Sequence, residues 1–207
     1  MKLEDRNLDN KQFFDERVDG YDQVHEKFMN TKKLISLHLN ENIKTIVDLG
    51  AGTGLELIYV YERFPNVHTT AIDISQKMLD KIKERDFKDK VDTVCGDLYK
   101  VDFGKNIDAV ISTSALHHFL YEEKLKLYRK IYECLGENGV FINCDKIVFS
   151  NEEEQICIEN NDKKVNVHND IPLTVEHEKE LLTSTGFSKI EVIETDHDNY
   201  RLFLSRK

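Results

Sequence analysis

The sequence predicts an α/β chain: a mostly parallel, doubly wound sheet of seven strands, covered by helices and closed by an antiparallel last strand. Three observations carry this. From residue 43 onward, short apolar runs alternate with helix-patterned segments, the texture of a parallel sheet buried on both faces. The first run, "TIVDLG", passes through a glycine turn directly into the helix pattern "LELIYVYERF". The last two runs, "FSKIEVIET" and "NYRLFLSRK", are separated only by "DHD". A link that short permits only an antiparallel pair, because a parallel crossover takes about a dozen residues or more.

Taken in order, residues 1–42 are polar with spaced apolar positions at Phe13, Phe14, Val18, Tyr21, Val24 and Phe28. This spacing predicts short amphipathic helices, forming a helical cap ahead of a main unit over residues 43–207. "TIVDLG" is the first strand, and the helix after it stops before Pro65. "VHTTAIDI" is the second strand. "SQKMLDKIKERD" is a helix with Ser75 as N-cap. "KVDTVCGD" and "NIDAVISTSA" are the third and fourth strands. "EEKLKLYRKIYECLG" is an amphipathic helix ending at Gly136, and "GVFINCDKI" is the fifth strand. "SNEE" reads as a capping box, with Ser150 as N-cap and Glu153 reaching back. It opens a short helix and loop over residues 150–170, packed over one end of the sheet. "PLTVEHEKELLTSTG", capped by Thr174, leads into the terminal hairpin.

Bulk properties narrow the function. A chain of 207 residues with 40% hydrophobic content builds a core without disulfides or a structural metal. A formal net charge of -10 repels phosphate backbones and argues against a nucleic-acid partner. Cys95, Cys134, Cys144 and Cys157 form no C-x-x-C pair and no zinc-finger spacing, which reads as reduced thiols in a reducing compartment. The start, "MKLEDRNLDNKQ", lacks the apolar core of a signal peptide, and no run approaches the ~20 apolar residues of a membrane span. The expectation is a soluble cytoplasmic protein with no membrane partner. Oligomeric state leaves no signal.

In a doubly wound sheet, ligands bind beyond the carboxyl ends of the strands, which points to Gly50, Gly52 and Gly54. A dinucleotide fingerprint needs its third glycine three positions after the second, where this chain has Leu55. A P-loop ending is missing as well. Asp73 ends the second strand about twenty residues past the turn, where a carboxylate accepts from ribose hydroxyls. Asp97, just past the third strand, can meet an adenine amino group. These groups suit a nucleoside with an uncharged tail better than a dinucleotide.

Together "VDLGAGTG", "AIDIS", "CGDL", "IDAVISTSALHHF" and the terminal hairpin resemble the class I S-adenosylmethionine-dependent methyltransferases of small-molecule type. That resemblance implies a Rossmann-like sheet and S-adenosylmethionine as cofactor, released as S-adenosylhomocysteine. It implies that Asp48, Gly50, Gly52 and Gly54 hold the methionine part and that Asp73 takes the ribose. Ile74 and Leu98 would flank the adenine, with Asp97 accepting from its amino group. Ser112 and Thr113 would line the methionyl tail, and Tyr21 would close the pocket. "STSA" stands where related enzymes that methylate planar nitrogens carry an N-P-P-Y-type tetrapeptide. The implied acceptor is therefore a small molecule with an O, N, S or C nucleophile. A catalytically silent cofactor-binding protein and an NAD-dependent oxidoreductase are the alternatives.

His117 and His118 follow the fourth strand at the rim of the expected site. Tandem helical neighbours point about 100° apart, so one of them faces the acceptor; His117 is the preferred base and His118 the second choice. Asp145, Lys146 and His168 read as solvated loop residues. No metal is expected, since no H-x-x-x-H or similar spacing occurs.

Overall fold

The computed structural model describes residues 2–165 and 168–207. Its sheet comprises β1 (Thr45–Leu49), β2 (His68–Asp73), β3 (Val91–Cys95), β4 (Ile107–Thr113), β5 (Leu135–Val148), β6 (Leu173–Thr174), β7 (Ser188–Glu194) and β8 (Tyr200–Arg206). The main path runs β3-β2-β1-β4-β5-β8-β7, and β6 pairs with β5 off that path. The pairs from β3 to β5 are parallel, and β8 is antiparallel to both β5 and β7. Chain order reverses between β1 and β4, so the crevice beyond their carboxyl ends is the binding position of such a sheet.

The helices are α1 (Leu3–Asp15), α2 (Tyr21–His25), α3 (Met29–His38), α4 (Leu55–Arg63), α5 (Gln76–Ile82), α6 (Tyr121–Cys134), α7 (Asn151–Asp162) and α8 (Val175–Ser184). The strand period of two sends side chains alternately to two cores. Ile46 packs with Ile35, Leu57 and Val60 of α3 and α4. Val47 and Leu49 pack with Leu127 and Ile131 of α6 and Leu181 of α8. Asp48 falls on the α3/α4 side by the same alternation.

The expected caps are present. Ser75 Oγ accepts from Met78 N, Ser150 Oγ from Glu153 N and Thr174 Oγ1 from His177 N, each at 3.2 Å. Glu153 reaches back to the Phe149 amide at 2.7 Å, one residue before the expected partner.

Three expectations are corrected. The sixth helix stops at Cys134, because Leu135 is already extended and pairs with Ile107 across a bulge in β5. The two-residue β6 is an eighth strand. α1 is not an apolar-faced helix: the residues it buries are Arg6 and Asn10, and Val24 of α2 is 65% exposed. α1 lies across a polar opening, and its seat is built from side-chain pairs. α3 belongs to the helical layer of the sheet, with Ile35 fully buried.

Candidate active site

The turn after β1 forms because only glycine fits it. Gly50 has φ +70°, and a Cβ there would stand 2.3 Å from the Ala115 Cβ. Gly52 has φ +52°, and a Cβ there would stand 3.9 Å from the Tyr21 ring. Gly54, also left-handed, opens α4 rather than facing the cavity, and its amide donates to Ala51 O at 2.8 Å.

Beside this turn lies a narrow cavity of about 80 Å³. Gly50, Gly52 and Asp73 form one part of its wall, and Ile74, Asp97 and Leu98 another. Asn7, Asn10 and Phe14 of α1 close it from above. Asp73 Oδ2 accepts from Gly52 N at 2.9 Å and Oδ1 from Ser75 N at 2.8 Å. Burial raises its pKa to about 6, with the Ser75 and Gly52 amides pulling the other way. Asp97 Oδ1 accepts from Tyr99 N at 2.9 Å.

Three expected residues lie away from this wall. Ser112 is fully buried and its Oγ donates to Leu49 O at 2.8 Å, tying β4 to β1. Thr113 is buried, and Ser114, at φ 56°, turns its side chain to the cavity instead. Asp48 is fully buried beneath the turn, and both its oxygens lack a hydrogen-bond donor among the described residues. Burial, then the adjacent Glu56 carboxyl, push its pKa well above the ordinary carboxylate value. Lys32 Nζ donates to Glu56 Oε2 at 2.9 Å beside it.

A second, larger cavity of about 630 Å³ adjoins the first. Phe14, Tyr21, Ser114 and His118 stand on the walls of both. Tyr21 stacks on His25 at 3.9 Å between ring centroids, and Phe14 meets His118 edge-on at 5.9 Å. Phe28 and Tyr200 continue the aromatic wall at 5.3 Å from each other. Asp170 and Lys146 lie deeper, while Arg17 and Lys27 are exposed residues.

The two histidines are in different states. His117 Nδ1 is 2.5 Å from Asp145 Oδ1, and its Nε2 is 3.2 Å from Asp170 Oδ1. Burial alone would lower its pKa, but the two carboxylates outweigh it and raise it to about 9. The ring is therefore a buried cation with both nitrogens engaged, which argues against the base role expected of it. His118 Nδ1 is 3.3 Å from the Asn169 carbonyl. A carbonyl only accepts, so Nδ1 carries the proton and Nε2 is bare. Burial, then the His117 charge, lower its pKa to about 3. His118 is thus neutral wherever the protein works.

Asp145, Lys146 and Asp170 are part of this network and not solvated loop residues. Lys146 Nζ pairs with Asp170 Oδ2, and the Lys146 amide donates to Asp145 Oδ1 at 2.9 Å. His117, His118 and Asp170 offer donor atoms within 4.8 Å of one another, a grouping that no spacing along the chain announces. His117 and Asp170 are already committed to each other, to Asp145 and to Lys146. His168 contacts Phe13 at 4.7 Å between centroids.

The raised pKa of His117 sets an alkaline limit. A group protonated more tightly in the folded state contributes stability that is complete below its unfolded value, near 6.5, and is lost as pH rises through about 9. Asp145, Asp170 and His118 face it, with Lys146 paired to Asp170 behind them. Thermal denaturation should show Tm falling across this window, and His117→Gln should flatten that fall. An unchanged fall in the variant would place its cause elsewhere.

Residues 46–139 match the family model described as "Methyltransferase domain". The chain is 29% identical over 193 residues to the phosphoethanolamine N-methyltransferase of Plasmodium falciparum, covering 88% of this chain and 71% of that protein. Among solved structures, an O-methyltransferase family protein from Burkholderia thailandensis superposes with TM-score 0.75 at 15% identity, covering 100% of this chain and 63% of that one. Human N-acetylserotonin methyltransferase in complex with S-adenosylmethionine superposes with TM-score 0.72 at 19% identity, over 95% of this chain and 56% of that one. The chain thus spans about six-tenths of these solved neighbours. At such identities they show the fold. No helix among the described residues is long and apolar enough to cross a membrane.

Proposed function

We propose that this chain, which belongs to the class I S-adenosylmethionine-dependent methyltransferases, methylates the nitrogen of a small amine that carries an anionic group. The observation that carries this is the junction of the two cavities, where His118, its Nδ1 turned to the Asn169 carbonyl, stands on the walls of both. The aromatic rings of Phe14, Tyr21, Phe28 and Tyr200 suit a nitrogen that gains positive charge, and the Asp170 carboxylate lies in the same cavity. Arg17 and Lys27, toward solvent, would meet the anion, although Glu16 and Asp19 share that rim. The similarity to a phosphoethanolamine N-methyltransferase supports the same acceptor class.

The residues present fit the cofactor: a turn that a Cβ would block, two carboxylates and an apolar slot lie on one wall. Bound S-adenosylmethionine supplies a methyl group whose bond to sulfur breaks as its bond to the acceptor nitrogen forms. Asp73 would hold the ribose hydroxyls. Ile74 and Leu98 would flank the adenine beside Asp97, and the glycine turn with Ser114 would border the methionyl end. Tyr21 and Phe14 exclude water from the junction and align the acceptor. His118 Nε2 accepts a hydrogen bond from the acceptor N–H and turns the acceptor's lone pair toward the methyl group. With a pKa lowered to about 3 the ring does not keep the proton, which passes to water as the product leaves.

Asp73→Ala should weaken S-adenosylhomocysteine binding by about 1.5–3 kcal/mol, the scale of hydrogen bonds to a charged group. Isothermal titration checks this; unchanged affinity would remove Asp73 from the site, and micromolar NAD binding would revive the oxidoreductase reading. The acceptor is tested by turnover with phosphoethanolamine against ethanolamine and small phenols. A second reading, O-methylation, rests on the same bare nitrogen, which can accept a hydrogen bond from a hydroxyl. Preference for the phenols would select it.

A further inference from the structure

Asn10 of α1, Asn161 of α7 and Asn169 form a buried ladder of side-chain amides. Asn169 Nδ2 donates to Asn10 Oδ1 at 2.7 Å, and Asn161 Nδ2 donates to Asn169 Oδ1 at 3.0 Å. All three residues are buried, where an amide that loses its partner carries the full desolvation cost. Asn169 sits at φ 54°, in the left-handed region that asparagine tolerates better than most residues. Its backbone carbonyl faces His118 Nδ1 at 3.3 Å, and Asp170 follows it directly. One residue therefore touches the N-terminal helix through its side chain and His118 through its backbone.

α1 is also held by polar pairs, beside apolar contacts limited to the partly buried Leu3, Phe13 and Phe14. Arg6 pairs with Glu123 of α6, and Ser75 Oγ donates to Asp15 Oδ1 at 2.6 Å. Such a seat gives little of the apolar burial that locks a helix down, and elements of this kind open at low cost. α1 also narrows the first cavity to about 80 Å³, below the ~300–1,000 Å³ usual for ligand pockets. Lifting α1, whose Asn7, Asn10 and Phe14 close this cavity, would widen it for a nucleoside cofactor.

We propose that Asn169 is a positioning residue that couples α1 to His118, so that the acceptor site is complete only while α1 lies over the cofactor cavity. The coupling rests on the reading of His118 as the hydrogen-bond acceptor that orients the substrate nitrogen. When α1 lifts, Asn169 loses the Asn10 oxygen and half of its buried fixation. Its carbonyl then no longer holds the His118 proton on Nδ1, and the neighbouring Asp170 loses its register. Cofactor binding brings α1 down and restores both, so the cofactor binds first and the acceptor second.

Hydrogen exchange tests this, with S-adenosylhomocysteine as the probe. The proteins are the wild type, Asn169→Gly and Asn161→Ala. Glycine keeps the positive φ and the carbonyl while removing both amide links, and Asn161 lies on neither cavity wall. In the wild type the probe should slow exchange in the peptide covering α1 and in the peptide carrying Asn169 and Asp170. In Asn169→Gly it should slow the α1 peptide alone. Turnover with phosphoethanolamine should fall about tenfold, the scale of one hydrogen bond, with cofactor affinity within about threefold. Asn161→Ala should act in the same direction by a smaller factor. Wild-type protection confined to α1, or full protection and turnover in Asn169→Gly, would overturn the coupling. No protection anywhere would overturn the cofactor reading with it.

Discussion

His118→Ala is expected to lower kcat by about 10²-fold, the scale of a reactant left misaligned, while S-adenosylhomocysteine affinity stays within a few-fold. The reasoning is geometric. His118 is the residue at the cavity junction whose ring nitrogen is both bare and neutral, because Asn169 holds the proton on Nδ1 and burial keeps the ring uncharged. His117, its neighbour, cannot substitute: Asp145 and Asp170 occupy both of its nitrogens. His117→Gln should therefore act first on stability. Steady-state turnover beside melting curves separates the two. An alanine at 118 with wild-type kcat would remove His118 from the alignment of the acceptor.

The second large effect falls on the folded state. Lys32→Ala should cost about 3–5 kcal/mol, as expected when one partner of a buried ion pair is removed, and lower Tm by roughly 6–20 °C. Lys32 and Glu56 have side chains 5% and 2% exposed, and the buried Asp48 carboxyl lies against the pair. Without the ammonium, Glu56 is a carboxylate buried beside another carboxyl. The double variant Lys32→Met with Glu56→Gln should recover most of the loss, because no uncompensated charge remains. If chemical denaturation finds Lys32→Ala close to the wild type, the cluster is better hydrated than its burial implies.

These two effects sit at opposite ends of what the sequence discloses. The glycine turn, Asp73, Asp97 and the caps at Ser75, Ser150 and Thr174 were legible because each is a local rule, written within a few residues of where it acts. The antiparallel hairpin was legible because three residues cannot make a crossover. Lys32 and Glu56 carried no signal in the sequence and Asp48 was expected at the cofactor, and only the packing of α3 on α4 brings the three together in the interior.

The acceptor side was misread for the same reason. Asp145 pairs with a histidine 28 positions earlier, and Asn10 joins Asn169 across 159 positions. Neither distance leaves a period in the sequence. The preference for His117 over His118 assumed a helix in which the two diverge. The chain forms a tight turn there, Leu116–His118, that buries both rings, and the choice between them is made by the carboxylates around them. Strand alternation placed Ser112 correctly on β4, but its hydroxyl is spent on Leu49, and the residue that reaches the cavity lies just past the strand end at Ser114.

Methyl transfer from isotopically labelled S-adenosylmethionine to phosphoethanolamine, with the product examined by NMR, tests the central claim most directly. The label should appear on nitrogen, and the signal should vanish from the product of His118→Ala while that variant still binds S-adenosylhomocysteine. Label on oxygen in a competing hydroxyl acceptor, or no labelled product from a protein that binds the cofactor normally, would contradict the account.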